Sequence, residues 1–440
     1  MTAGVDHEAI AQRVLERARS HGADQAEVGV QTASGLSAEV RLGEVDTLEY
    51  HRDKGCSLTV YMNGAKGSAS TSDFSDDAVE STVAKACDLA RRTSADPANG
   101  LADPEQLATE IPGLDLDHPV EMEPEEAIER ARACEAAARA VDDRITNSEG
   151  GEFSWSRGTM VYANSHGFLG GYSGTRYGVS SAVVAEEGGS MQRDFWYATA
   201  RDLAQLEDGE AVGRRAGERT ARRLGARRIS TARVPVLFEA PVAASLLGHL
   251  VSAVRGSSLY RRSSFLLDKA GERIFTSGVT IHEEPHRPKG LGSVPFDGEG
   301  VATRERDLIR DGVLTGYCLD SYSARKLGME TTGHAGGVHN LYMLPGERDP
   351  QALLRDMGTG LLVTELIGMG VNGVTGDYSR GAAGFWVENG EVAYPVEEIT
   401  IAGNLKDMYM DIVAVGSDLD LRGNVSAPSV LIGEMTVAGQ

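Results

Sequence analysis

The spacing of apolar and polar residues predicts a helix, a group of strands and a second helix in the first quarter of the chain. The first helix begins after Asp6, a good N-cap residue, and its inward face carries Ile10, Val14 and Ala18. Apolar residues alternate over 36–42 and 56–62, which is typical of half-buried strands, and Asn63-Gly64 predicts a hairpin turn. Ser75 is expected to cap the second helix.

The same order of elements is predicted a second time, between residues 120 and 228. Pro124 stands among glutamates and suits the first turn of a helix. Short strands rich in Tyr, Val and Trp are expected over 151–200, and a helix over 209–224 closes the unit. The stretch 94–119 is rich in Pro, Asp and Ala and is predicted to be a linker. We interpret this half of the chain as a weak structural duplication.

From Arg233 onward, short apolar runs alternate with glycine clusters, which predicts a mostly β domain with tight turns. Helices are expected at 242–254 and 350–357, and Asn389-Gly390 predicts a further hairpin. The fold class is therefore α+β, with a duplicated helix–strands–helix N-terminal half followed by a mostly β, Gly-rich C-terminal domain. The predicted domains are residues 1–115, 120–228 and 231–440.

The chain is strongly acidic, with a formal net charge of -22 over 440 residues. This charge argues against a nucleic-acid-binding surface, because such surfaces neutralise phosphates with lysine and arginine. One local exception is a run of arginines at positions 214, 215, 219, 222, 223, 227 and 228. It is interpreted either as a solvated face that pairs with acidic groups or as a docking patch for an acidic partner.

The composition of the N-terminus and the cysteines favours a cytoplasmic protein. Residues 1–10 include two acidic side chains and lack an apolar h-region, so no signal peptide is expected. The longest mostly apolar stretch, 241–254, is too short to span a bilayer, and no membrane association is predicted. The four cysteines are scattered without a CxxC pair and are expected to be reduced and buried.

The string His282-Glu283-Glu284-Pro285-His286 has the letters of HExxH, the zinc-peptidase motif. That motif requires a helix, which brings both imidazoles onto one face beside the bound water. Pro285 disfavours the helical conformation at the preceding residue and removes a helical hydrogen bond. We therefore expect a solvent-facing loop here and no metal ligation.

A second candidate is the loop 333–340, which carries His334, Gly336, His339 and Asn340. These residues could line a substrate groove or hold a ligand. Alternatively, each imidazole hydrogen-bonds a nearby carbonyl group. No GxSxG elbow, P-loop or strand-following GxGxxG is present. Asp377 and Arg380 are expected to pair with each other or with the backbone.

Six runs in the last 210 residues carry a resemblance to a known family. They are YRRSSFLLD at 260–268, SYSARKLG at 321–328, GHAGGVHN at 333–340, Gly358 and Gly360 with VTEL at 363–366, GDYSRGAAGFWVEN at 376–389, and ITIAGNLKDM at 399–408. Together they resemble the PmbA/TldD family, and within it the PmbA branch, also called TldE. The first half of the chain is similar to this family in length and element order only.

The resemblance implies a two-subunit cytoplasmic metallopeptidase that processes peptides and partly unfolded small proteins. In the TldD-type subunit, two histidines of a helical HExxxH motif and a late cysteine bind zinc, and the glutamate acts on the bound water. The same family has an older description as a modulator of gyrase.

This chain departs from the family pattern at every expected zinc ligand. Aligned on the motif helix, Gly248 and Ala253 occupy the two histidine positions, and His249 occupies the glutamate position. No cysteine follows Cys318, and the matching tail segment is 424–428. The resemblance therefore assigns this chain no catalytic residue, no metal ligand and no cofactor, and it places zinc in a TldD-type partner.

We interpret the chain as a non-catalytic or regulatory subunit of a TldD/PmbA-type peptidase that helps to admit an extended peptide. Its expected partners are a TldD-type zinc subunit and a peptide or unfolded-protein substrate, with a homodimer as the alternative when it is alone. Two other functions stay open. One is an independent metallopeptidase that uses His282, His286 and His334 or His339. The other is an adaptor that binds gyrase.

Overall fold

A computed structural model describes residues 5–439. The first half contains the predicted helix–strands–helix order twice, which confirms that pattern. The first copy comprises α1 (His7–Ser20), β1 (Gln25–Arg41), β2 (Glu44–Met62), β3 (Ala65–Thr71) and α2 (Asp76–Arg92). The second copy comprises α3 (Pro124–Arg139), β4 (Ile145–Asn164), β5 (Leu169–Glu187), β6 (Ser190–Ala200) and α4 (Gly209–Ala221).

The two copies share one antiparallel sheet with strand order β3-β2-β1-β4-β5-β6. The joint is the pairing of β1 with β4, in which Val28 lies opposite Ala163. Because side chains alternate along a strand, one face of this sheet is apolar and the other is largely polar. The four helices cover the apolar face, where α1 and α2 form one core and α3 and α4 form another. The division of this half into two domains stays a prediction.

The segment predicted to be a linker is packed against the body of the protein. It contains only a short 3-10 turn at Pro104–Gln106, as its Pro and Asp content suggests. However, Leu101 and Leu116 are 2% and 5% exposed. The N–H of Thr175 donates to the carbonyl oxygen of Leu116 at 2.9 Å. These few leucines fix the segment against the body of the protein, and its role as a linker between the two copies stays a prediction.

The C-terminal part begins with β7 (Ala232–Phe238), α5 (Ala240–Val254), α6 (Gly256–Tyr260), β8 (Ile281–Glu283), β9 (Arg306–Arg310), β10 (Val313–Leu314), α7 (Ser321–Leu327) and β11 (Leu341–Met343). It ends with α8 (Pro350–Met357), β12 (Gly360–Ile367), β13 (Asp377–Glu388), β14 (Glu391–Asn404), α9 (Leu405–Met410), β15 (Ile412–Val415), β16 (Val425–Ser426) and β17 (Val430–Ala438).

Two sheets enclose α5 in this part of the chain. One has the order β10-β9-β8-β11-β16, and the other has the order β14-β13-β12-β7-β17-β15. Leu246, Leu247 and Leu250 of α5 are at most 1% exposed and pack with residues of both sheets, among them Ile281 and Ile401. The helix is therefore fixed by apolar burial along its length.

The arginine run of α4 connects the first half of the chain to the C-terminal part. Arg219 is 7% exposed, and its Nη1 lies 2.9 Å from Glu239 Oε2. Arg223 is 9% exposed, and its Nη1 lies 2.6 Å from Glu365 Oε2. The prediction of a solvated face is thus wrong for these two residues, although the predicted pairing with carboxylates is present. Within residues 5–439, no helix is long and apolar enough to cross a membrane.

Candidate functional site

The helix α5 carries the three positions that the family resemblance marks. Gly248 and His249 are partly exposed, and Ala253 is 4% exposed. A Cβ atom added at Gly248 would meet no atom within 4 Å. The helix packs against β16, the strand inside the predicted late segment, where Ala427 is fully buried. The helix α5 and the segment 424–428 are therefore neighbours in space.

His249 lies in a pocket of polar groups that lack partners. Its ring contacts the ring of Tyr378 edge-on, with centroids 5.9 Å apart. Among the described residues, no hydrogen-bond partner is found for His249 Nε2, the Tyr378 hydroxyl or Arg380 Nε. Burial, and then the charge of Arg380, lower the pKa of His249. An imidazole in this setting is neutral at pH 7.

Asp377 and Arg380 do not form the expected pair. The carboxylate of Asp377 instead accepts hydrogen bonds from the Thr375 hydroxyl at 2.6 Å and from Asn404 Nδ2 at 3.0 Å. Because Asp377 and Arg380 are three positions apart on β13, their side chains leave opposite faces of the strand. Arg380 is thereby directed toward the His249 side of the sheet.

The residues around α5 do not fit a catalytic zinc ion. Such a site needs three protein ligands and an open position. Gly248 and Ala253 carry no donor atom, and residues 424–428 include no cysteine. Of the three marked positions of α5, only 249 carries an imidazole, so this donor set is two ligands short. Within residues 5–439, no three His, Cys, Asp or Glu side chains are grouped to hold a metal ion.

The His282–His286 string is a strand end followed by a turn, so the prediction that it is not a helix is confirmed. His282 Nδ1 lies 2.8 Å from Asp307 Oδ1, whereas His286 Nε2 lies 3.0 Å from the Thr303 hydroxyl. The two imidazoles therefore have separate partners. The prediction of a solvent-facing loop is wrong for Glu283, which is 1% exposed. Residue alternation in β8 places this side chain in the interior.

Glu283 is the centre of a buried charged network. Its Oε2 lies 2.9 Å from Arg306 Nε and 2.9 Å from His334 Nε2, and its Oε1 accepts the N–H of His339 at 2.6 Å. Burial raises the pKa of Glu283, but His334 and Arg306 outweigh burial and lower the pKa to about 2. Arg306 also donates to Cys318 Sγ at 3.1 Å. The network holds β8, β9 and the 333–340 loop together.

The loop 333–340 places most of its predicted site residues in the interior. His334 and His339 are 7% and 8% exposed, and burial lowers the pKa of His339 to about 4. Asn340 Nδ2 donates to the Glu284 carbonyl oxygen at 2.8 Å and to the Ser293 hydroxyl at 2.7 Å. Gly336 alone is exposed, with a φ of +106°. A role in a substrate groove stays a prediction, and Gly336 is the residue placed to fulfil it.

Sequence reasoning did not identify Arg306, Asp307 or Tyr378 as neighbours of the marked histidines. No local motif contains them, since Arg306 is 28 residues from His334 and Tyr378 is far from His249 in sequence. By contrast, the prediction for the cysteines is confirmed, because all four are free and buried. Burial raises the pKa of the Cys318 thiol to about 11, so it is unreactive at neutral pH.

Comparison with known proteins gives a consistent match along the chain. Models of the PmbA/TldA metallopeptidases match in three parts: domain 1 over residues 26–90, the central domain over 117–224 and the C-terminal domain over 231–439. The chain is 53% identical to metalloprotease PmbA of Escherichia coli O157:H7, over 95% of this chain and 93% of that protein. It is 44% identical to a PmbA homologue of Haemophilus influenzae, over 97% and 94% of the two chains.

Solved structures give the same match at the level of the fold. A protein of Bacteroides thetaiotaomicron, described as a candidate modulator of DNA gyrase, superposes with a TM-score of 0.94 at 30% identity, over 99% of this chain and 100% of that one. TldE from Thermococcus kodakarensis superposes with a TM-score of 0.84 at 23% identity, over 98% and 100% of the two chains. The second likeness is one of fold alone.

Proposed function

Because the chain belongs to the PmbA/TldD family of metallopeptidase-related proteins, we propose that it acts as a non-catalytic or regulatory subunit of a cytoplasmic peptidase. In this proposal a TldD-type partner supplies zinc, and this chain helps to admit peptides or partly unfolded small proteins. Hydrolysis by zinc requires a polarised water of lowered pKa, which the partner would provide.

The observation that carries the proposal is the composition of the α5 site. Gly248 and Ala253 of α5 carry no donor atom, and the segment 424–428, whose strand β16 packs against this helix, contains no cysteine. In the alignment with the family motif, His249 takes the position of the glutamate, and we propose that this neutral imidazole has no metal-bound water to act on. The family scaffold is retained here without the donor set of the reaction.

An apolar loop near this site supports the presence of a partner. Ile367, Met369 and Val374 are 54%, 92% and 54% exposed. The loop meets the α5 surroundings through Val371, which pairs with Tyr378. A methionine this exposed, next to two further apolar side chains, is typical of a protein-binding surface. We propose that the TldD-type subunit covers this loop.

The test is to purify the chain alone and together with a zinc-bearing member of the family. Elemental analysis after metal supplementation should give far less than one zinc per chain, and the chain alone should not cleave unfolded peptides. Co-purification should succeed and should be weakened by Met369→Asp. Met191→Asp is the matched control, because Met191 is 68% exposed on β6, outside this loop. One zinc per chain with chelator-sensitive cleavage in the absence of a partner would refute the proposal.

The same measurements decide between the two alternatives. An independent metallopeptidase would need His282, His286 and a further imidazole to converge, whereas the first two have separate hydrogen-bond partners. An adaptor for gyrase is compatible with the description of one structural relative. The net charge of -22 disfavours direct contact with DNA. Salt-dependent retention of the purified chain on DNA would favour the adaptor.

A further inference from the structure

The polar face of the six-stranded sheet carries a long groove that none of the roles above uses. Two adjoining cavities form it, with volumes of about 670 Å³ and about 630 Å³. Both are lined by Gln31 of β1, Lys54 of β2 and Met160 of β4, so they are continuous across the centre of the sheet. A groove of this length and polarity is suited to an extended chain rather than to a compact ligand.

One end of the groove is basic. Arg176 and Arg201 both line it, and neither forms an ion pair with a carboxylate in the described part of the chain. Arg201 donates only to carbonyl oxygens, at 2.9 Å to Leu291 and 3.3 Å to Thr175, and Arg176 donates only to the Thr199 hydroxyl at 3.2 Å. Asp53 lines the same cavity without reaching either guanidinium group. Two neighbouring cations without a counterion favour a bound anion.

The opposite end is acidic. The carboxylate of Glu27 accepts the hydroxyls of Tyr61 at 2.9 Å and Tyr162 at 2.8 Å. Glu299 Oε2 accepts the backbone N–H and the hydroxyl of Ser321, at 2.9 Å and 2.6 Å. Both glutamates line the larger cavity, and no cation pairs with either of them within residues 5–439. Burial raises the pKa of Glu299 to about 7, so Glu299 is only partly ionised at neutral pH; together with Glu27 it still favours a bound cation, such as an amine.

The distance between the two ends sets the size of the ligand. Glu27 lies on β1. Arg176 of β5 lies opposite Ser156 of β4, and Ser156 in turn pairs with Gly35 of β1. Eight positions of β1 therefore separate the two levels, which corresponds to about 26 Å at about 3.3 Å per residue. An extended peptide of roughly eight residues has the same length. Its terminal charges would then reach both ends of the groove.

We propose that this groove binds a short extended peptide through both of its termini. The amine lies at Glu27 and Glu299, and the carboxylate lies at Arg176 and Arg201. The side chains lie over Met160 and the sheet, without requirement for a particular sequence. The choice of a peptide as ligand rests on the proposed function, whereas the opposite charges of the two ends do not. The groove would hold fragments or short substrates within the subunit that lacks the zinc ligands.

Isothermal titration of the full chain without any partner tests this assignment. The probe is an octapeptide of Ala, Ser and Val residues with free termini. It is compared with its C-terminal amide, its N-acetyl form and a tetrapeptide of the same residues. Amidation and acetylation should each weaken binding about tenfold or more, as expected for loss of one charge-assisted contact. The tetrapeptide should bind less tightly than the octapeptide, because it cannot reach both ends.

Arg176→Gln is the decisive variant, because Arg176 is exposed and holds only one side-chain contact. In this variant the free octapeptide should bind more weakly than to the wild type, and its advantage over the amidated octapeptide should shrink, because only Arg201 remains at that end. Arg52→Gln, an exposed arginine on the opposite face of β2, is the matched control and should leave binding unchanged. Equal affinity of the free and amidated peptides for the wild type would overturn the assignment, and so would a chain that binds millimolar inorganic phosphate but none of the peptides. Because no partner is present, failure of subunit pairing and failure of this groove are separate results.

Discussion

The buried carboxylate of Glu283 allows a sharp test of what the HExxH-like string does in this protein. The substitution Glu283→Gln keeps the shape of the side chain and removes its charge. Arg306 then loses its counterion at 2.9 Å, and the imidazole of His334 loses a charged neighbour. If the network is structural, the variant should lose stability and leave metal content unchanged.

The size of the effect follows from the pKa of Glu283. A carboxyl group with a pKa near 4.5 when unfolded and about 2 when folded stabilises the native state at pH 7 by about 3 kcal/mol. Breaking a buried ion pair from one side costs about the same, roughly 3–5 kcal/mol. Because the folded-state pKa is the lower one, this stability is present above pH 4.5 and is lost as the pH falls toward 2. The variant lacks it at every pH.

Urea denaturation at pH 7 and pH 3.5 measures this difference. Glu283→Gln should be less stable than the wild type by about 3 kcal/mol at pH 7, and about half of that difference should remain at pH 3.5. Glu284→Gln is the matched control, because within residues 5–439 the one hydrogen bond found for the Glu284 carboxylate comes from the Tyr342 hydroxyl at 3.4 Å. It should change stability by less than about 0.5 kcal/mol. A loss below 1 kcal/mol for Glu283→Gln, or a difference independent of pH, would refute the reasoning.

Two further predictions concern the residues that the sequence singled out. The double substitution His282→Ala with His286→Ala should leave the zinc content and the peptidase activity of the complex nearly unchanged, because the two imidazoles contact Asp307 and Thr303 separately. A hundredfold loss of activity in a folded variant, with loss of zinc, would contradict this. Gly336→Leu should reduce peptide cleavage by the complex more than the control Gly271→Leu does. Gly271 is also exposed and has a φ of +84°, so both substitutions strain the backbone. Equal activities in two stable variants would count against a role of the 333–340 loop.

The local features of the fold were predictable because short-range chemistry fixes them. The side chains of Asp6 and Ser75 accept the backbone N–H groups at the starts of α1 and α2, as capping residues should. Asn63 and Gly64 adopt positive φ angles of 50° and 77°, which close the tight hairpin between β2 and β3. Each of these predictions depends on residues within a few positions of one another.

Long-range pairing is the part of the fold that the sequence did not reveal. The alternation of apolar and polar residues over 25–41 is the same whether this strand pairs with β2 alone or with both β2 and β4. The shared sheet therefore could not be inferred from periodicity. The burial of Glu283 was not predicted for the same reason, because its partners Arg306 and His334 are 23 and 51 residues away in sequence. Glu283 stands two positions before Pro285, and a charged residue there is expected to lie in an exposed loop unless its partners are known.

The packing of α5 shows why the helix can keep its place in the fold whatever residue stands at position 248. Leu246, Leu247 and Leu250 hold the helix between two sheets through apolar burial, and none of them occupies a ligand position. A side chain at Gly248 would project into open space, so its identity contributes little to packing. A change of residue at position 248 is therefore expected to cost the fold almost nothing. Histidines introduced at positions 248 and 253 should therefore be tolerated unequally. A side chain at 248 has open space, whereas Ala253 is 4% exposed and a larger side chain there would overpack the core.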